Sequence, residues 1–129
     1  MPFPQAYLDL FEKKAIAHLA TIMADGTPQV TPIWIDYDGE YLLVNSAKGR
    51  VKDRNMEQRP HVAVDIIDPD NPYRYVAIRG RVVEITEEGG REHIDKLEFK
   101  YRGKPRYDLP EGMVRRIYKI TVDKVETHG

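Results

Sequence analysis

Residues His18–Asn45, HLATIMADGTPQVTPIWIDYDGEYLLVN, read as three short strands in hairpin succession. His18–Met23 is an apolar run, and Ala24–Thr27 is a turn whose Asp25-Gly26 pair is a strong hairpin signal. Gln29–Asp36 gives the second strand, and Asp38-Gly39 turns the chain into a third at Tyr41–Asn45. Strands joined by turns this short run antiparallel, because a parallel pair needs a long crossover. Pro32 removes a ladder donor from the second strand, which points to an edge or a ligand-facing position.

Working outward, a helix is expected from Arg50 to Gln58, stopping before Pro60 because a residue preceding proline avoids helical backbone. His61–Ile67 is a fourth strand and Asp68–Pro72 a loop. Tyr75–Ile85 is a long fifth strand bent at Gly80. Thr86 is placed to cap a helix reaching about Tyr101, with Ile94, Leu97 and Tyr101 on one face. After a Pro/Gly-rich loop, Arg115–Glu126 alternates apolar and charged residues with one break of phase near Lys119, giving a sixth strand. Upstream, Ala6–Ala15 reads as a short helix with Tyr7, Leu10 and Phe11 on one face. Six short strands with peripheral helices predict a mainly β fold, an antiparallel sheet closed into a small barrel, and not a βαβ repeat.

The chain has 129 residues, enough for one domain spanning residues 1–129, and 41% of them are hydrophobic. The net charge of −1 speaks against general nucleic-acid binding. There is no cysteine, so disulfides and thiolate metal sites are excluded and a cytoplasmic location is expected. No apolar run approaches the roughly 18 residues of a membrane span, and MPFPQAYLDLFEKK does not read as a secretory signal. The four histidines lack ligand spacing, so no metal is expected. No nucleophile elbow or carboxylate pair is evident, a pattern that suits an enzyme leaving the hard chemistry to a cofactor.

One segment departs from this even charge. Asn45–Arg59, NSAKGRVKDRNMEQR, leaves a strand, passes one glycine and enters the basic helix. From Ser46 to Arg59 five cations (Lys48, Arg50, Lys52, Arg54, Arg59) face two acids (Asp53, Glu57), a local +3. Cations around a helix N-terminus suit a phosphate, because unpaired backbone N–H groups and the helix dipole act together there. The competing reading is a solvated helix face, on which Asp53 and Glu57 form a like-charge i,i+4 pair. Trp34 suits either packing or contact with a ligand ring.

Three blocks, HLATIMADGTPQVTPIWI (18–35), VNSAKGRVKDRNMEQRPHVAV (44–64) and NPYRYVAIRGRVVEI (71–85), resemble in their order and spacing the pyridoxamine 5′-phosphate oxidase-like split β-barrel family. The similarity is greatest to its small members that use the deazaflavin coenzyme F420. The resemblance implies a six-stranded split β-barrel and a homodimer with two cofactor sites at the subunit interface. It sets the cofactor phosphate against Asn45, Ser46, Lys48, Arg50, Val51, Lys52 and Asn55, with Lys52 and Arg50 matching the gripping positions best. The ring system would lie along Thr31, Pro32 and Ile33, with Tyr73 and Tyr75 reaching in from the partner. The vitamin-B6 oxidases of the family carry a further C-terminal segment that this sequence does not show, which favours a deazaflavin-dependent reductase acting on an electron-poor small molecule. An FMN-dependent enzyme and a non-catalytic cofactor binder are the alternatives. No catalytic residue is assigned, and Tyr75 and solvent both stand as proton sources.

Overall fold

The structure is a computed structural model describing residues 3–129. After a 3-10 helix at Gln5–Phe11 come β1 (Ala17–Ile22), β2 (Pro28–Ile33), β3 (Asp36–Tyr37) and β4 (Leu42–Ala47). Helix α1 (Val51–Gln58) leads to β5 (His61–Ile67) and β6 (Tyr75–Thr86), and α2 (Gly90–Arg102) leads to β7 (Arg115–Ile120) and β8 (Lys124–His128). All strands pair antiparallel in one sheet of order β2-β1-β5-β6-β7-β4-β3, with β8 added on β6. No helix among the described residues is long and apolar enough to cross a membrane.

Period-two alternation decides which residues enter the core. Along β5, Val62, Val64 and Ile66 are buried while His61, Ala63 and Asp65 face outward. Leu19 from β1, Val44 from β4, Ile78 from β6 and Tyr118 from β7 meet them in one apolar cluster. The N-terminal turn closes one end of it, as Leu10 is fully buried and Tyr7 and Phe11 pack alongside.

Several expected elements differ: the N-terminal helix is a 3-10 helix ending at Phe11, and the second strand ends at Ile33, with Asp36–Tyr37 pairing separately on β4. The last strand is two strands, which raises the strand count from six to eight together with the short β3. β7 pairs with β4 and with the second half of β6, then the chain steps across Thr121–Asp123 and β8 pairs with the first half of β6. The crossing makes Gly80 obligatory, since a Cβ there would lie 1.9 Å from the Thr121 carbonyl oxygen. The register shift of β6 falls just beyond, between Val82 and Glu84. Thr86 does not cap α2. It ends β6, and its hydroxyl accepts the Glu88 N–H at 3.1 Å, while α2 starts after Gly89 at φ +78°. Pro32 sits where the missing donor predicted, because β2 is an edge strand paired only with β1.

Gly80→Ala is expected to cost about 1–3 kcal/mol through overpacking against fixed backbone. Urea unfolding checks this, with an unchanged midpoint as the contrary outcome.

Candidate anion-binding cleft

Helix α1 begins where β4 ends, and a buried carboxylate fixes the junction. Asp53, in the first turn, accepts the Gly49 N–H at 2.8 Å, the Tyr118 hydroxyl, and Arg116 at 3.1 Å. Burial opposes its ionisation, but these three donors outweigh it and hold its pKa below the usual value. The like-charge pair expected between Asp53 and Glu57 is resolved by Arg116, which lies 2.8 Å from Glu57 as well. At the other end, Asn55 donates to Thr21 at 3.0 Å and Arg59 to the Ile22 carbonyl at 2.6 Å, tying the helix to β1. The helix stops at Gln58 with Arg59 extended before Pro60.

A cleft of about 440 Å³ opens beside the start of α1. Pro32, Ile33 and Trp34 form one wall, Asn45 and Arg115 the floor, and Ile94, Leu97 and Arg102 of α2 the other side. Arg50 and Tyr107 reach it from the N-cap of α1 and the loop after α2. Trp34 stacks on Tyr101 with centroids 5.1 Å apart and planes 6° apart, and the Arg102 guanidinium lies 5.9 Å from the Trp34 ring. Trp34 therefore both packs and lines the cleft.

The electrostatics here are one-sided. Among the described residues, no carboxylate lies within ion-pair distance of Arg50, Lys52 or Arg115. Burial first, then the charges of Arg50 and Arg115, lower the pKa of Lys52 from its usual value. Its ammonium has one polar contact, the Thr31 hydroxyl at 3.4 Å. Arg115 is buried and its pKa is also lowered, chiefly by burial. Its guanidinium lies 5.2 Å from the centre of the Tyr107 ring and donates through Nε to Asn45 Oδ1 at 2.7 Å. Three cations without a counter-charge, two of them partly or wholly desolvated, form a place where an anion gains more than in water.

The structure brings Pro32, Ile33, Asn45 and Arg50 together on this cleft, whereas Thr31 and Lys52 are joined to each other and are not among its lining residues. It places others differently. Lys48 is exposed and lies 3.7 Å from Glu87. Val51 is exposed, Ser46 is buried on β4 with its hydroxyl unpartnered, and the Asn55 amide is spent on the helix–strand junction. Tyr73 is exposed and Tyr75 stacks on His128, and neither lines this chain's cleft. Sequence reasoning missed Arg115, Arg102 and Tyr107. Nothing local in the sequence marks Arg115, whose nearness to the basic segment comes from the register of β7 on β4, where it lies opposite Ala47.

Beneath the floor runs a buried polar chain. Asn45 Nδ2 donates to the Gly90 carbonyl at 3.0 Å and meets His93 Nδ1 at 3.1 Å, and His93 Nε2 meets Asp36 Oδ2 at 3.0 Å. Lys96 reaches the same Asp36 oxygen at 3.0 Å. Burial would raise the pKa of Asp36, but hydrogen bonds from His93, Lys96 and the Tyr37 N–H prevail and bring it down to about 2.

A carboxylate whose pKa falls on folding contributes stability above its unfolded value, and that stability is lost as pH falls through the folded value. For Asp36 the window runs from 3.8 down to about 2. The stability gap between wild type and Asp36→Asn is expected to shrink by up to about 2 kcal/mol across it, in urea unfolding at stepped pH. A gap independent of pH would refute the assignment.

A model of the pyridoxamine 5′-phosphate oxidase family matches residues 3–129. A solved structure named an F420 reductase is 37% identical, with a TM-score of 0.84, and the match covers 96% of this chain and 98% of that one. A Listeria innocua protein provisionally named a pyridoxamine 5′-phosphate oxidase shares the fold at 22% identity and a TM-score of 0.72, covering 95% and 94% of the two chains. HupZ from Group A Streptococcus does so at 21% and 0.71, covering 97% and 93%.

Proposed function

The chain belongs to the pyridoxamine 5′-phosphate oxidase family, and from that premise we propose that it is an oxidoreductase using coenzyme F420 to reduce an electron-poor small organic molecule. The observation that carries the reading is the pair Arg50 and Arg115, which line the cleft without an acid at ion-pair distance among the described residues, with Lys52 close enough for their charges to lower its pKa. The choice of coenzyme is supported by the 37% identical F420 reductase, whose length matches this chain almost end to end. The residues suit such a group chemically: a cationic margin for a phosphate beside a largely apolar and aromatic wall for a flat ring.

Arg50, Lys52 and Arg115 hold the phosphate, Lys52 as a point charge and the arginines as planar donors. Its seat lies near the N-terminus of α1, where N–H groups lack intrahelical partners. Thr31, Pro32 and Ile33 on the edge strand support the ring system. When bound, the coenzyme supplies a hydride from its ring carbon 5. The protein contributes distance and orientation, which alone account for several kcal/mol of barrier lowering. The assembly is a homodimer with two such sites at its interface, Tyr73 and Tyr75 of each chain serving the other's site. Lys48, exposed near the helix entry, acts at longer range.

FMN is the second reading, favoured by the family model, since FMN also joins a phosphate to a flat tricyclic ring. Titration of the pure protein into coenzyme F420, followed by the coenzyme's fluorescence, separates them. A saturable change at micromolar protein is expected. No change, with tight binding of FMN, would replace the reading by the second.

Lys52→Ala is expected to weaken coenzyme binding by roughly 1.5–3 kcal/mol, the worth of a hydrogen bond to a charged group. Fold stability should hold, because the ammonium's one polar contact is with Thr31. Unchanged affinity in the same titration would place the phosphate elsewhere.

A further inference from the structure

Asn45 stands between two groups whose hydrogen-bonding character cannot change. Its Nδ2 donates to the Gly90 carbonyl oxygen at 3.0 Å, and its Oδ1 accepts from Arg115 Nε at 2.7 Å. Turning the amide over would set oxygen against oxygen at Gly90 and N–H against N–H at Arg115, so one orientation is possible. The remaining hydrogen of Nδ2 faces His93 Nδ1 at 3.1 Å, and that nitrogen has to accept it. The proton of the neutral imidazole therefore lies on Nε2, 3.0 Å from the Asp36 carboxylate. Every link runs one way: Arg115 donates to Asn45, Asn45 to His93, and His93 to Asp36. All four residues are buried, at 7–8% exposure.

We propose that His93 is a positioning residue for the anion-binding cleft: its neutral Nε2–H form orients the Asn45 amide, which in turn holds the Arg115 guanidinium at the cleft floor. The proposal rests on reading that cleft as the phosphate site. Burial makes each link costly to break, because a donor or acceptor left unpaired there loses its water as well. A protonated His93 would present N–H at both ring nitrogens. Nδ1–H would then oppose the Asn45 amide, and the amide could satisfy it only by turning over and releasing Arg115. The charged groups that face His93 come from each element around it. Asp36 from β3 meets the His93 Nε2, Lys96 on α2 bonds the same carboxylate oxygen, and Arg115 from β7 bonds the Asn45 amide that meets the His93 Nδ1. Lys100, a further turn along α2, is engaged with the Ile35 carbonyl at 3.2 Å.

Two measurements test this on the full chain. Nitrogen-15 NMR of the imidazole in unliganded protein at mildly alkaline pH is expected to show His93 as the Nε2–H tautomer. The Nδ1–H tautomer, or a charged ring, would overturn the proposal. The second is affinity for coenzyme F420 and for FMN, in wild type, His93→Asn and His93→Leu. Asparagine puts an acceptor oxygen in place of Nδ1 and is expected to bind within about threefold of wild type, whereas leucine is expected to lose about tenfold or more. On acidification, wild-type affinity is expected to fall in a step that follows His93 titration in the NMR spectrum. His93→Asn, which has no proton to gain, should lack that step, and a merely structural histidine would leave the two profiles parallel. Leucine binding as tightly as wild type, or parallel pH profiles, would also overturn it. If wild type binds neither coenzyme, the phosphate-site reading fails and takes the positioning role with it, while the tautomer result judges the hydrogen-bond chain separately.

Discussion

The buried carboxylate of Asp53 fixes the entry to α1 beside the cleft. It joins the turn before α1, through the Gly49 N–H, to the barrel interior, through Tyr118 and Arg116. Without it the first turn of a short, strongly charged helix would have little to hold it, because eight residues are too few to be stable alone. With it, Arg50 at the N-cap and Lys52 in the first turn are set beside β2 and β7 at a fixed height. The same carboxylate balances Arg116, whose guanidinium also gathers Glu57 and Glu87. Acids and bases of the helix are thereby sorted: the acids turn toward Arg116, and Arg50 and Lys52 have no acidic partner among the described residues.

The second organising element is β6. Its twelve residues serve β5 and β8 along the first half and β7 along the second, so one strand links both parts of the curled sheet. Gly80 sits at the changeover, where the backbone of Thr121 passes too close for any side chain. Gly90 plays a similar part at the start of α2, since a Cβ there would lie 2.2 Å from the Arg115 carbonyl oxygen. That contact brings α2 close enough for the Gly90 carbonyl and His93 to reach Asn45.

Much of this was legible in the residue pattern, and the exceptions have physical causes. Hairpin signals at Asp25-Gly26 and Asp38-Gly39 and the short β-branched run of His61–Ile67 carry local information, so the strands there came out close to where they were placed. The division of the last strand did not, because alternation survives when a strand steps from one partner to another. The start of α2 was misplaced since Thr86 bonds a nearby N–H in a turn just as it would in a cap. At the site, Arg50 and Lys52 announced themselves by local charge density. Arg115 did not, for its charge looks like any outward residue of an alternating strand until α2 and the following loop cover it. Asn55 shows the opposite: its place within the basic segment suggests a ligand contact, and in the structure its amide donates to Thr21.

The cleft draws its parts from segments of unequal rigidity. Its cations and aliphatic wall stand on strands and helices, whereas Tyr107 comes from an irregular stretch held chiefly where its N–H meets Asp95 at 2.8 Å. Exchange or lengthening of that stretch can therefore reshape the mouth without disturbing the grip beneath it. In a protein organised this way the shape of the mouth and the cations beneath it can vary independently, much as a lathe accepts new tools on an unaltered bed.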